Sequence, residues 1–208
     1  KNDRVECARE LLMAGANVDK PGTDVRTPLM VACGNGCNEL VVALLDNGAS
    51  VDNADNAGHT ALMFACESGN IQCLRTMVER GANIHRSNVS GTTPLMVACT
   101  WHQDACVSEL VALRACLEAR KNNCMTALTI SCVHNSEKCA RVLMENGADV
   151  WDTLMHTCND RLANYPSVEC CLCASRIVSW GDPRLFGAFA GLVAAEDVPG
   201  HVFIRAMR

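Results

Sequence analysis

Cysteine and histidine carry most of the chemical potential of this chain, with fifteen of the first and six of the second in 208 residues. Their densest grouping is Cys170-Cys171-Leu172-Cys173, with His156 and Cys158 a short way upstream. Thiolates and imidazoles together can bind zinc, and clustered thiols can serve as redox sensors. The spacings match no known zinc finger, and no second C-x-x-C pair is present. A Cys-rich apolar helix explains the same residues without chemistry, so structural, metal and redox readings stand side by side. Catalytic motifs are missing: no Gly-rich phosphate loop, no G-x-S-x-G and no H-E-x-x-H. The carboxylates are scattered as on solvated faces. Neither an enzyme nor a bound cofactor is expected.

Most of the other cysteines follow a rule. Cys33, Cys66, Cys99 and Cys132 are spaced by 33 residues; Cys73, Cys106 and Cys139 form a second series, which Cys7 joins two periods earlier. Equivalent residues on stacked helices lie roughly 8–10 Å apart, and a disulfide needs Cα atoms within about 7 Å. Neither series can therefore cross-link itself. These cysteines read as small buried hydrophobes, which points to a reducing compartment, the cytoplasm or the nucleus, rather than to a secreted disulfide framework.

The elements that position them share the period. Thr27-Pro28-Leu29-Met30-Val31-Ala32-Cys33 returns as Thr60-Ala61-Leu62-Met63-Phe64-Ala65-Cys66, then as Thr93 to Cys99 and Thr126 to Cys132. Gly15, Gly48, Gly81 and Gly147 close apolar helical stretches in the same register. Thr caps a helix start, Pro is tolerated in the first turn, and Gly takes the left-handed position after a helix. A fixed 33-residue step with a T-x-L signature marks a repeat array.

These residues resemble the ankyrin-repeat family. The resemblance implies an all-α solenoid of stacked helix-turn-helix units with short hairpin fingers. It covers residues 1–150: a partial unit at 1–20, then units at about 21–53, 54–86, 87–119 and 120–150. The chain opens within a repeat, as a piece of a longer array does. Beyond residue 150 the register breaks, because Asp152-Thr153-Leu154-Met155 arrives 26 residues after Thr126. Residues 151–208 read as degenerate or capping repeats, helical in part.

Several departures carry expectations. The family's T-P-L-H has Met30, Met63 and Met96 in place of His; Met should pack in the core and give up the hydrogen bond of the turn. Val25 and Cys124 replace the finger glycine, so those two fingers are expected to be irregular. Arg114 replaces a closing glycine, so the second helix of its unit is expected to run on through Ala119. Trp101-His102 stands where the first two units have a glycine turn and the fourth has Asn135.

Function is then expected on the concave groove that such arrays use for partners. By resemblance the groove and fingers present Phe64, Glu67, Trp101, His134, Arg26, His59, Arg86 and Asn88, with Phe64 and Trp101 as aromatic anchors. The partner is a protein. Net charge is −5 and no Lys/Arg cluster stands out, which argues against nucleic acid. The longest apolar run, Leu185 to Ala195, is too short to span a bilayer. The chain is expected to be monomeric. The resemblance leaves two settings open: a free-standing scaffold, or the substrate-targeting arm of a larger enzyme such as a ubiquitin ligase adaptor or a kinase. A metal- or redox-responsive protein built on residues 156–173 is the third reading.

Overall fold

A computed structural model describes residues 2–22, 24–150 and 176. The Cys170, Cys171 and Cys173 cluster and the reading of 151–208 lie outside the described residues, Arg176 excepted.

The described residues form nine α-helices: α1 (Asn2–Met13), α2 (Pro28–Gly34), α3 (Asn38–Asp46), α4 (Ala61–Ser68), α5 (Ile71–Glu79), α6 (Pro94–Thr100), α7 (Asp104–Ala112), α8 (Ala127–Val133) and α9 (Glu137–Glu145). Helices this short are unstable alone in water. They persist by stacking: α2, α4, α6 and α8 form one layer, and α1, α3, α5, α7 and α9 the other. Between the layers lies a continuous core of small and medium side chains, including Leu29, Leu62, Leu95 and Leu128.

Each helix of the first layer starts the same way. The buried hydroxyls of Thr27, Thr60, Thr93 and Thr126 accept the backbone N–H three residues on, at 3.3–3.4 Å. Met30, Met63 and Met96 are core residues, at most 1% exposed. The expected loss of a turn hydrogen bond is corrected: Met30 Sδ accepts the N–H of Thr27 at 3.4 Å and Met96 Sδ that of Thr93 at 3.5 Å. A thioether is a weak acceptor, but here it reproduces the reciprocal arrangement of a capping box.

Two further expectations are corrected. Val25 and Cys124 do not make their fingers irregular. Both take the left-handed conformation, φ +62° and +64°, and keep the turn that Gly58 makes at +80°. Their N–H groups donate to the carbonyls of Gly22 and Lys121, as that of Gly58 donates to Asp55. Nor does α7 run on. It stops at Ala112, and Arg114 takes φ +66° where other units have glycine. In each case the stack dictates the backbone and the side chain bears the strain.

The turn between the two helices of a unit is tied to the next unit. Asn70 donates to the Cys33 carbonyl at 3.4 Å, Gln103 to that of Glu67 at 3.2 Å, and Ser136 to that of Cys99 at 3.0 Å. Arg176 donates to the carbonyls of Cys132 and Val133. These bonds supply donors from the next unit to carbonyls at a helix end; those of Cys33, Cys99 and Cys132 also accept the N–H groups of Gly36, His102 and Asn135 in their own turns. The long Asn70 and Gln103 side chains lie against Gly36 and Gly69. A Cβ at Gly36 would stand 2.6 Å from Asn70 Cγ, and one at Gly69 2.7 Å from Gln103 Cδ. His102 holds the equivalent position in the third unit, at φ +57°. Opposite it the capping residue shrinks to Ser136, whose hydroxyl also bonds His102 Nδ1 at 2.6 Å.

The cysteine series behave as small buried groups with one exception. Cys33, Cys66, Cys99, Cys132, Cys73, Cys106 and Cys139 are buried and in no disulfide, whereas Cys7 is exposed. Its equivalents face the first-layer helix of the preceding unit, and no described helix covers that side of α1. The two series, separate in sequence, are neighbours in the fold. Cys33, Cys66 and Cys99 lie within electrostatic reach of Cys73, Cys106 and Cys139 respectively. Burial drives the thiols of Cys33, Cys66 and Cys99 far above the ordinary range, and those of Cys73 and Cys106 to about 11.

Candidate functional site

The groove is formed by α2, α4, α6 and α8 and the fingers that precede them. The second finger is closed by Asp55, whose Oδ1 accepts the N–H groups of Ala57 and His59 at 2.9 and 2.8 Å. Asn88 does the same in the third finger, accepting from Ser90 and Thr92 at 3.0 and 2.9 Å. That fixes which end of the Asn88 amide is oxygen. Its Nδ2 therefore donates to His59 Nε2, 2.9 Å away. His59 Nε2 is the acceptor, so the ring proton sits on Nδ1, facing Asp55 Oδ2 at 3.4 Å. Fingers are also joined through their backbones, Val89 to Ala57 and Asn122 to Ser90, each at 3.0 Å. They form a connected row rather than separate loops.

Phe64 is only 8% exposed. The Arg26 guanidinium lies 4.6 Å over its ring, and His59 meets it edge-on with centroids 6.0 Å apart. Arg26 is held in turn by Asp24 at 3.5 Å. Trp101, by contrast, is 52% exposed. Between Phe64 and Trp101 opens a cleft of about 180 Å³. Met63 and Val97 lie at its base, and His59, Asn88, Thr92, Thr100, Glu67 and Lys121 around it. It is smaller than the roughly 300 Å³ at which small-molecule sites begin, and suits one side chain of a larger partner.

Of the eight residues expected on the partner surface, five line this cleft: His59, Phe64, Glu67, Asn88 and Trp101. Arg26 sits beside it over Phe64. Arg86 is placed elsewhere, exposed and donating to the Asp52 carbonyl at 2.7 Å. His134 is exposed, one period beyond Trp101 along the groove. Burial and then the charges of His102, Lys121 and Arg176 hold its imidazole below the usual value. Lys121 and Thr92 were not among the expected residues. The finger register was the available signal, since Lys121 falls one period after Asn88 and Thr92 one after His59.

Among the described residues no group of three or more His, Cys, Asp or Glu side chains could hold a metal ion. No helix among them is long and apolar enough to cross a membrane.

A two-layer helical solenoid with a finger-edged groove is a repeat-type binding scaffold. A family model for ankyrin repeats in three copies matches residues 1–88 and 81–153, and the chain belongs to the ankyrin-repeat family. Ankyrin repeats are in general protein–protein interaction modules and typically non-catalytic. A search of curated proteins finds no match.

Proposed function

We propose that the chain is a non-catalytic interaction module that holds a segment of a partner protein in its concave groove. Arg26, His59, Phe64, Glu67, Asn88, Trp101 and His134 surround the contact. Residues 1–150 are the working array in this reading, and 151–208 its degenerate cap. The observation that carries it is the exposed Trp101 on the rim of a side-chain-sized cleft, in a chain with few aromatics. Tryptophan is enriched among residues that dominate binding energy. The row of buried cysteines outside any disulfide supports work in a reducing compartment, the cytoplasm or the nucleus, and the module acts as a monomer.

The test is affinity capture with the wild type and with Trp101→Ala. Trp101 caps α6 through its backbone N–H, which alanine keeps, so helix content and melting should be unchanged while the captured proteins are depleted. Equal capture by both forms would place the contact surface elsewhere.

A further inference from the structure

The cleft carries a charge pattern that identifies the kind of segment it fits. Four equivalent finger positions read Gly22, Asp55, Asn88 and Lys121, so their charge moves from acidic to basic along the groove. At the early end the partners are matched: the Arg26 guanidinium pairs with Asp24, and His59 Nδ1 faces Asp55. At the late end Lys121, half-buried at the cleft edge, makes no ion pair with any described residue. Beyond it lie His102, His134 and Arg176. Burial first, and then the positive charges of His102, Lys121 and Arg176, make the His134 imidazole resist a proton. Glu67 is the one carboxylate among the described residues lining the cleft, and it comes from the α4 side. Within a partly desolvated cleft such charges act more strongly than on open surface.

Building on the interaction reading above, we propose that the groove recognises an acidic peptide segment. An apolar residue of the segment enters the cleft between Phe64 and Trp101, and an Asp or Glu next to it faces Lys121 and His134. Glu67 repels that carboxylate from the α4 side and so sets the direction in which the segment lies. Charge placement of this kind governs specificity and register more than raw affinity.

The test uses a displayed random-sequence peptide library, selected on the whole chain and on Lys121→Glu/His134→Glu. Both substituted residues are surface groups, and unchanged melting checks the fold. Peptides from the wild type should pair an Asp or Glu with a nearby aliphatic or aromatic residue. Their affinity should drop roughly tenfold or more for the charge-reversed chain and for Trp101→Ala, and should weaken with salt, as exposed charge contacts do. The reversed chain should select basic residues instead. Peptides that depend on Trp101, carry no acidic bias and ignore the charge reversal would overturn this proposal and leave the groove reading standing. Peptides indifferent to Trp101→Ala would overturn both.

Discussion

A β-branched side chain seldom adopts positive φ, yet Val25 sits at +62° because its finger must turn as its neighbours do. For residues other than glycine this conformation costs about 1–2 kcal/mol. Val25→Gly should therefore raise stability by roughly 1 kcal/mol, the gain being reduced by the extra freedom glycine has when unfolded. The reverse change at the equivalent Gly58 should be worse than strain alone, since a Cβ there would stand 2.9 Å from the Val89 nitrogen. Urea denaturation of both variants measures this. No gain from Val25→Gly would mean that the first finger does not keep its hairpin in solution. Tryptophan and lysine at the cleft act at the same scale: their roles depend on what lies beside them, not on their own conformation.

At the scale of the element, a unit is joined to the next by a matched pair, a turn residue and a capping side chain. Gly69→Ala should cost at least about 1–3 kcal/mol, combining overpacking against Gln103 with left-handed strain. Gln103→Ser alone should lose one hydrogen bond to the Glu67 carbonyl, about 0.5–1.5 kcal/mol. Together they should cost less than the sum, because the shorter cap frees the space that alanine needs and recreates the third-unit pairing of His102 with Ser136. Additive effects in a double-mutant cycle would refute the matched pair. Much at this scale was legible beforehand. The Thr caps, the first-layer helices and the turn glycines follow from local chemistry repeated at a fixed step. What local chemistry misjudged was the end of α7 and the two fingers, where stacking imposes positive φ on Arg114, Val25 and Cys124 against their own preference. The methionine bonds were hidden because sulfur is a poor acceptor and only proximity reveals its use.

At the scale of the whole molecule, the described residues form a stack whose interior is lined with thiols, and its two cysteine series lie side by side because one unit's first helix meets the next unit's second. Periodicity showed each series but not their contact, which depends on the superposition of units. Alkylation of the native chain, mapped by peptide mass spectrometry, should label Cys7, Cys116 and Cys124 quickly. It should spare Cys33, Cys66, Cys73, Cys99, Cys106, Cys132 and Cys139 until denaturant is added. Burial holds Cys73 and Cys106 near 11 and the first-layer thiols of Cys33, Cys66 and Cys99 higher, so raising the pH from 7 to 9 should leave these five protected. Native labelling of the buried set would contradict the packed core. The groove was anticipated through the family resemblance and five of its cleft residues by name. Lys121 escaped notice because its neighbours in sequence are polar loop residues, and only the finger row gives it a direction.

The pairing of turn and cap also limits how such an array can grow. A second copy of the unit around Gly69 placed directly after the first would set its Asn70 against a turn with no side chain, and would fit. A second copy of the unit around His102 would press a long Gln103 against an imidazole, and would not. Tandem duplication is thus tolerated at one joint and resisted at the next, so the order of these units is not freely reshuffled by recombination.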